Sequence, residues 1–285
     1  MNVTSISPVQ TPLRERRGIN NRLLLALPPA TLDRILRVSE PVSLVQGQRI
    51  DRAGQPIKHI HFINRGLVSI AKTLEDGRTV EIGAIGIEGV ANLLPFVGIH
   101  KAILDAVVQI PGTALRIGCD AMRRELENDN AFHQVAQNYV RFGLSELARH
   151  IACGRLHHIE QRCCRWLLIA HDHALSEAFP VTHESLAMML GCQRAGVSIA
   201  MGSLVKAGLI EHKRGTAIII DRPGLEAAAC TCYREMQNEL DEFLPPAKTA
   251  RGFGFKQNKS PGEPSRRLLG KQSGVADGPR GSKAS

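Results

Sequence analysis

The sequence has few aromatic residues and no long apolar run. Phe, Tyr and Trp together make up 4% of the 285 residues, with a single Trp. No apolar stretch reaches the roughly 20 residues that a transmembrane helix needs. The first twenty residues also lack the apolar segment of a secretory signal peptide. We therefore expect a cytoplasmic protein that has no membrane partner.

The motifs of common catalytic and metal sites are also missing. The chain has no HExxH motif, no paired CxxC spacing, no P-loop and no nucleophile elbow. Gly83, Gly86 and Gly89 are spaced GxxGxxG, which differs from the dinucleotide fingerprint and is typical of turns. We expect a protein that is not an enzyme, with no catalytic residue, no bound metal and no cofactor.

The cysteines do not form a recognisable framework. Their odd number argues against a full set of disulfides, and in the cytoplasm they are expected to stay reduced. Some lie near histidines, as in the segments 153–158, 163–173 and 230–232, but we interpret these residues as core cysteines and surface histidines. The seven are Cys119, Cys153, Cys163, Cys164, Cys192, Cys230 and Cys232.

The net charge of +9 belongs to the ends of the chain. Residues 246–285 hold nine Lys and Arg against two acidic residues, and residues 1–20 hold three Arg against one Glu. These two segments account for the whole excess, so the body of the chain is formally neutral. Both ends are poor in apolar residues, and we predict that they are disordered tails. DNA binding therefore cannot be inferred from the charge alone.

The segment from Val181 to Ile210 is the most informative part of the chain. It predicts two short helices with a sharp turn at Gly191, where a residue without Cβ reverses the chain. Thr182 stands where an N-cap hydroxyl would bind backbone N–H groups of the first helix. The apolar face of that helix consists of Leu186, Met189 and Leu190.

The second helix is predicted from about Gln193 to Lys206. Its inward residues are Val197, Ala200, Met201, Leu204 and Val205. Its N-terminal end, the end that enters the major groove in a helix-turn-helix, has exposed side chains. These are Gln193, Arg194, Ala195, Ser198 and Ile199. Any helical hairpin has apolar faces and a glycine turn, so the pattern alone leaves DNA binding open.

The residues after the second helix favour double-stranded DNA as the partner. Gly208-Leu209-Ile210 starts one strand of a predicted hairpin, or wing, and the β-branched run Thr216–Ile220 forms the other. Between them, Lys213-Arg214-Gly215 makes a basic turn placed to meet phosphate. The predicted DNA-binding residues are Thr182, Gln193, Arg194, Ser198, Lys213 and Arg214.

The N-terminal half predicts a small barrel or roll. Residues 21–40 read as a helical lead-in, whose apolar contacts are Leu24, Leu27, Leu32, Ile35 and Leu36. Short strands then follow between Val42 and about Ile117, and Glu75–Arg78 is a strong hairpin signal. The strand runs are Ile60–Ile63, Leu67–Ala71, Val80–Ile85, Ala106–Ile110 and Ala114–Ile117. The glycine turns are expected at Gly47, Gly54, Gly66, Gly77, Gly86 and Gly112.

A long helix is predicted from about Ala131 to Ala152. Four apolar residues have the 4, 3, 4 spacing of a two-stranded coiled-coil seam. They are Val140, Leu144, Leu147 and Ile151. Upstream, the stripe is widened by Phe132, Val135, Ala136 and Tyr139. One face of the helix can pack on the roll while the other forms a homodimer, although a helix that lies only on its own β-domain is the alternative.

Two further helical segments complete the order. A break at Gly154 leads into a core helix, and Pro223 to about Leu244 predicts a closing helix. The core helix has Ile159, Cys163, Trp166, Leu167 and Ala170 at helical spacing. The predicted domains are an N-terminal tail (1–20), a β-roll sensor domain (21–129), a dimerisation helix (130–153), a winged helix-turn-helix domain (154–244) and a basic C-terminal tail (245–285).

This order of elements resembles the Crp/Fnr superfamily of bacterial transcription regulators over roughly residues 20–240. The resemblance is carried by GQRIDRAGQPIKHIHFINRGLVSI, HIEQRCCRWLL and LAMMLGCQRAGVSIAMGSLVKAGLI. It implies an α+β fold, with an N-terminal antiparallel β-roll of the cyclic-nucleotide-binding type, a long dimerisation helix and a C-terminal winged helix-turn-helix. It also implies a homodimer whose roll senses an effector, with DNA as partner and RNA polymerase as a further candidate partner.

The sequence departs from the family pattern at the effector site. The family's cyclic-AMP pocket uses an acid in the roll and an Arg-Ser pair that holds the cyclic phosphate. Here Ala102 and Ile103 align with that pair, and a buried phosphate without arginine would lose its charge-assisted hydrogen bonds. We therefore expect a less charged effector, or none. The candidate pocket residues are Gly86, Glu88, Gly89 and Ile103.

Other departures concern the iron–sulfur branch and the operator. The first cysteine is Cys119, so the N-terminal cysteine cluster of the oxygen-sensing branch is missing. Arg194 matches a family base-contacting arginine, whereas Ala195 and Ile199 replace the neighbouring Glu and second Arg, so the operator should differ. The competing class is an enzyme or small-molecule-binding protein that uses its winged helix as a protein-interaction module.

Overall fold

The computed structural model describes residues 18–245. The two predicted tails lie outside this range, apart from residues 18–20 and Pro245. The described chain begins with two short helices, α1 (Arg22–Leu25) and α2 (Pro29–Arg37), which confirm the helical lead-in. The side chain of Asn21 caps α1 by accepting a hydrogen bond from the backbone N–H of Leu24 at 3.0 Å. The lead-in buries or half-buries all five of its predicted apolar contacts.

Five strands then build the roll, and each pairs antiparallel with its neighbours. The strand order is β1-β5-β3-β4, with β2 also paired to β5. A single helical turn, Leu94–Val97, precedes the last strand. The strands are β1 (Ser39–Leu44), β2 (Arg49–Asp51), β3 (His59–Thr73), β4 (Thr79–Ile85) and β5 (Asp105–Gly118). This arrangement is the antiparallel roll that the sequence predicts, with the predicted Glu75–Arg78 hairpin between β3 and β4.

Two of the predicted glycine turns were wrong. Gly66 and Gly112 lie inside β3 and β5, so each of these strands joins two runs that the sequence analysis had separated. A Cβ on Gly112 would lie 1.9 Å from the carbonyl oxygen of Arg65, and Gly66 has a φ of +96° within a series of register shifts. Glycine at these positions lets two long strands bend and approach closely, where a side chain would collide.

Two helices follow the roll. The first, α3 (Cys119–Asn128), was not predicted, since it starts directly after β5 with no linker. The second, α4 (Asn130–Leu156), confirms the long helix, and Asp129 caps it by accepting from the N–H of Phe132 at 3.1 Å. Neither α4 nor any other helix within residues 18–245 is long and apolar enough to cross a membrane.

The predicted break at Gly154 was wrong, because α4 continues through it to Leu156. Glycine weakens a helix by about 1 kcal/mol relative to alanine, which does not end a helix that is packed along its length. The chain instead leaves the helix at His157, whose backbone is extended, and His158 caps the next helix.

That next helix, α5 (Ile159–Ala174), confirms the predicted core helix. It is buried on all sides from Cys163 to Ala174, because it lies between the roll and the C-terminal elements. The expectation of surface histidines was therefore wrong for His171 and His173, which are both buried. His157 is half-buried, and His158 is exposed as expected.

The remaining elements form a helix-turn-helix with a three-stranded sheet of order β6-β8-β7. Strand β6 was not predicted. The predicted closing helix is two helices, because the chain breaks at Ala229–Thr231 and turns the side chain of Cys230 inward, where it is buried. The elements are β6 (Ala178–Pro180), α6 (His183–Leu190), α7 (Arg194–Lys206), β7 (Ile210–Lys213), β8 (Thr216–Ile219), α8 (Arg222–Ala228) and α9 (Cys232–Phe243).

Candidate nucleic-acid interface and sensor cavity

The first helix of the helix-turn-helix, α6, starts at the predicted cap. The hydroxyl oxygen of Thr182 accepts a hydrogen bond from the backbone N–H of Ser185 at 3.0 Å, and the Ser185 hydroxyl accepts from the N–H of Thr182 at the same distance. This reciprocal cap satisfies two backbone donors that a helix N-terminus leaves unpaired. Thr182 itself is exposed. Its hydroxyl is therefore occupied by its own helix, at an end that remains accessible to an anion.

The turn between the two helices depends on Gly191. Its φ of +60° is the left-handed conformation that ends α6, as the sequence predicts. The guanidinium of Arg162 on α5 donates a hydrogen bond to the carbonyl of Leu190, so the core helix holds the turn from below. A Cβ on Gly191 would lie 3.0 Å from Cγ2 of Val80 on β4, which shows that the roll packs against this turn.

The second helix, α7, begins one residue later than predicted, and Gln193 is its N-cap residue. Gln193, Arg194 and the neighbouring Ala195 and Ile199 are exposed at this end, as expected. Four of the five predicted inward residues are buried, but Val205 is 43% exposed. At 3.6 residues per turn Val205 falls about 90° from the centre of the buried face, so the prediction for this residue was wrong.

Ser198 joins the two helices. Its hydroxyl oxygen lies 3.0 Å from Nδ1 of His183 on α6 and donates to the carbonyl of Arg194 at 3.0 Å. The residue is half-buried, in contrast to the exposed positions before it. These contacts occupy the Ser198 hydroxyl within the protein and fix the angle between α6 and α7.

Two histidines at the centre of this surface were missed by the sequence analysis. The rings of His183 and His212 are stacked with their centroids 4.9 Å apart, and Nε2 of His212 lies 2.9 Å from the carbonyl oxygen of Val181. Burial lowers the pKa of His183, and the nearby His212 and Arg194 lower it further. A neutral His183 can stack on His212 without charge repulsion. No spacing rule could have paired these residues, because one lies on a helix and the other on a distant strand.

The wing has the predicted basic turn. Arg214 and Gly215 both have positive φ, +49° and +76°, as a type I′ hairpin requires. Lys213 and Arg214 are exposed, and the Lys213 ammonium lies 3.6 Å from the Glu211 carboxylate. The carbonyl of Gly215 accepts from the N–H of Val181 at 2.9 Å. The tip of the wing thus packs beside the start of α6.

The helix-turn-helix rests on a buried polar network. The guanidinium of Arg222 donates to Asp172 at 2.8 Å and to the hydroxyl of Tyr233 at 2.7 Å, and it lies 2.8 Å from Nδ1 of His171. The Tyr233 hydroxyl in turn donates to the other oxygen of Asp172 at 2.7 Å. The network ties α8 and α9 to α5. The sequence segment His171-Asp172-His173 is therefore structural at its first two positions.

The third residue of that segment, His173, contacts the roll. Its Nδ1 accepts from the backbone N–H of Ile87 at 3.3 Å, and its Nε2 lies 3.2 Å from the Glu88 carboxylate. A Cβ on Gly86 would lie 2.1 Å from the His173 ring, and a Cβ on Gly89 would lie 1.9 Å from the hydroxyl of Tyr139 on α4. The predicted pocket residues Gly86, Glu88 and Gly89 thus form the surface where the roll meets the helices.

A cavity of about 250 Å³ lies between the roll and the helices α4 and α5. Most of its lining is apolar, and Glu88 and Ile103 are among its lining residues. Ile103 is 58% exposed at its rim, whereas Ala102 is buried and its N–H donates to the carbonyl of Gln55 at 2.9 Å. The two residues that align with the Arg-Ser pair therefore offer a cyclic phosphate no charged group.

The polar groups of the cavity are few. Burial raises the pKa of Glu81 to about 7, against the opposing influence of Ser69 and Arg165. Burial also lowers the pKa of His150 to about 4, so this histidine is neutral near pH 7. Within residues 18–245, Arg165 on α5 is the one arginine that lines the cavity. An occupant would meet a mostly apolar wall that carries this guanidinium group and the carboxyl group of Glu81.

The predicted seam of α4 lies at the mouth of the same cavity. Leu144 and Ile151 are 64% and 69% exposed, while Val140 and Leu147 are half-buried. Leu144 and Leu147 also line the cavity. The upstream stripe packs on the roll as expected: Phe132, Ala136 and Tyr139 are buried and Val135 is half-buried. In the single chain, half of the seam is therefore apolar surface that faces solvent.

Two family models match the chain. The Crp-like helix-turn-helix domain matches residues 161–228, and the cyclic nucleotide-binding domain matches residues 41–129. No curated protein matches the sequence at a significant level.

Solved structures share the fold of the chain at low sequence identity. FixK2 from Bradyrhizobium japonicum is 15% identical with a TM-score of 0.55, and the match covers 68% of this chain and 98% of that one. A CRP-family transcriptional regulator from Thermus thermophilus is 24% identical with a TM-score of 0.54, over 66% and 96% of the two chains. The c-di-GMP responsive regulator CLP from Xanthomonas campestris is 18% identical with a TM-score of 0.53, over 67% and 98%.

Proposed function

Because the chain belongs to the Crp/Fnr superfamily of transcription regulators, we propose that it binds its operator as a homodimer controlled by an effector other than cyclic AMP. The observation that carries the proposal is the convergence at His183. This residue contacts α7 through Ser198 and stacks on His212 of β7, so it joins the recognition helix to the wing.

The exposed start of α7 is the proposed base-reading element. Arg194 is exposed, and its side chain can reach guanine O6 and N7 through two parallel hydrogen bonds in the major groove. Gln193 precedes it and offers an amide to the neighbouring base pair. Lys213 and Arg214 on the wing would contact phosphate, as would the accessible N-terminus of α6 at Thr182. Ser198 contributes by fixing the helix angle.

The proposed dimer forms along the seam of α4. Exposed leucine and isoleucine at this spacing are stabilised when a second copy covers them. A two-fold dimer also presents two recognition helices to two half-sites. In this proposal residues 21–129 sense the effector, residues 130–153 form the dimer, and residues 154–244 bind DNA. RNA polymerase remains a candidate partner at promoters, and the protein would act in the cytoplasm, as a regulator and without catalysis.

The proposed effector is a small and largely apolar molecule. The cavity has an apolar lining, a carboxyl group that titrates near pH 7 and a single arginine on α5 among the described residues. An occupant that contacts Arg165 and Leu144 would touch the roll, the dimer helix and the helix that supports the DNA reader. Differential contacts of this kind are what a ligand needs in order to shift a conformational equilibrium.

Selection of bound sequences from random DNA tests the proposal. The purified full chain should enrich a two-fold symmetric site, and a mobility shift on that site should resist competitor DNA. Enrichment of no sequence, with binding that salt abolishes equally on all DNA, would favour the alternative in which the winged helix is a protein-interaction module.

A further inference from the structure

Four side chains from distant parts of the sequence meet at the junction of α4, α5 and α9. Cys153 lies in the last turn of α4, and His157 follows the end of that helix. Cys230 lies in the break between α8 and α9, and Cys232 is the first residue of α9. Their sulfur and nitrogen ligand atoms all lie within 4.8 Å of one another. The three cysteines are buried and the histidine is half-buried.

The distances in this cluster fit a tetrahedral metal. The Sγ atoms of Cys153 and Cys230 are 3.6 Å apart, and Sγ of Cys232 is 3.6 Å from Nδ1 of His157. Two ligand atoms about 2.3 Å from one zinc ion, at the tetrahedral angle, are roughly 3.8 Å apart. Both edges therefore need only small adjustments to hold an ion at their centre.

We propose that Cys153, His157, Cys230 and Cys232 bind one Zn²⁺ as a structural Cys₃His site. Thiolate and imidazole ligands in tetrahedral geometry are the donor set that zinc prefers, and four protein ligands leave no open position for catalysis. The site departs from the expectation of no metal, which rested on the absence of a paired CxxC spacing.

The charge balance of the site is favourable. Zinc binds thiolates, so three thiols release three protons to solvent when the ion enters. The resulting centre, Zn²⁺ with three thiolates and a neutral imidazole, has a net charge of −1. The buried guanidinium of Arg165 lies close enough to act electrostatically on all three cysteines. Its positive charge would offset that of the centre, which lowers the cost of burying it.

The position of the site gives it a structural role. The chain leaves regular helix at His157 and again at Ala229–Thr231, and these two breaks are where the ligands converge. The bound ion would therefore join the end of the dimer helix to the C-terminal helix. In doing so it would hold the junction between the sensing and DNA-binding parts in one geometry.

Metal analysis of the full chain tests the proposal directly. The protein, purified in reducing buffer with zinc in the growth medium, should retain about one zinc per chain after extensive dialysis. The double variant Cys230→Ser/Cys232→Ser should lose it. The matched control is Cys192→Ser, because Cys192 is half-exposed and lies outside the cluster. The control should retain zinc at the wild-type ratio.

Two measurements on the wild-type chain do not depend on the folding of a variant. Addition of Co²⁺ to the chelated protein should produce thiolate-to-cobalt charge-transfer absorption and the intense visible bands of tetrahedral cobalt. Addition of Zn²⁺ should bleach those bands. Chelation should lower the melting temperature by roughly 4 °C or more, since loss of a structural metal removes folding free energy.

Three results would overturn the proposal. The first is protein without stoichiometric metal whose cobalt spectrum is octahedral. The second is a retained metal other than zinc. The third is a Cys153–Cys230 disulfide trapped by alkylation in intact cells and found by mass spectrometry, which would make the pair redox-active instead.

Discussion

Nε2 of His173 lies 3.2 Å from the carboxylate of Glu88, and this contact joins the supporting helix of the DNA reader to the roll. Gly86 makes the contact possible, because any Cβ at that position would occupy the space of the imidazole ring. The backbone N–H of Gly86 also donates to Glu88 at 2.9 Å, which orients the carboxylate. The segment 86–88 therefore holds the roll and α5 in a defined relation.

Replacing Gly86 by alanine should weaken this junction. The new Cβ would overlap the His173 ring, and overpacking of this kind costs about 1–3 kcal/mol. Denaturant unfolding of the two proteins measures the difference. The matched control is Gly83→Ala, since a Cβ at Gly83 on β4 meets no atom within 4 Å. Equal stability of Gly86→Ala and wild type would mean that the junction is not packed as described.

The seam of α4 predicts a mutation that separates the protomers and leaves the fold intact. Leu144 and Ile151 are exposed in the single chain, so aspartate at both positions should cost the monomer little and disrupt a dimer by burying charge. Analytical ultracentrifugation should give the mass of one chain. Asn138→Asp serves as the control, because this exposed residue lies about 120° around the helix from Leu144. A double variant that sediments like wild type would place the interface elsewhere.

The buried Glu81 predicts a specific pH dependence. Its folded pKa of about 7 is above the unfolded value, so its stabilising contribution is complete below about pH 4.5 and is lost as the pH rises through 7. Glu81→Gln removes this titration. The stability of the variant relative to wild type should therefore increase from about pH 5 to about pH 8, by up to a few kcal/mol. The buried histidines cancel in this difference, and a difference that is flat with pH would contradict the assignment.

Cyclic nucleotides should not bind the cavity with useful affinity. Ala102 is buried against the backbone of Gln55, and Ile103 offers an apolar side chain where the family uses a polar one. Calorimetric titration with cyclic AMP and cyclic GMP should show no saturable binding up to roughly millimolar ligand, where about −4 kcal/mol of binding energy would be visible. Micromolar binding of either nucleotide would contradict this description of the pocket.

The features that the sequence predicts well are those with local causes. Thr182 caps α6, Gly191 ends it and the β-branched run after Gly215 forms a strand, because each depends on a few neighbouring residues. The inward face of α7 follows from helical periodicity, and even its one error, Val205, lies at the edge of that face.

The features that the sequence could not predict depend on contacts between distant residues. Gly112 is a strand residue because the backbone of Arg65 crosses it, and the sequence alone shows only a glycine between two apolar runs. His173 is buried because the roll covers α5. Cys153 and Cys230 are 77 positions apart, so no spacing motif connects them. Each of these relations arises only when the two halves of the chain pack together.

The central claim, that this protein reads DNA sequence through α7, is tested most directly by the ratio of specific to non-specific affinity. This ratio should be measured on the selected operator and on random DNA of the same length for wild type, Arg194→Ala and Arg214→Ala. We predict that Arg194→Ala loses about 1–3 kcal/mol on the operator and little on random DNA. Arg214→Ala should weaken both equally and reduce the salt slope by about 0.9. Equal losses on both DNAs for Arg194→Ala would contradict the claim.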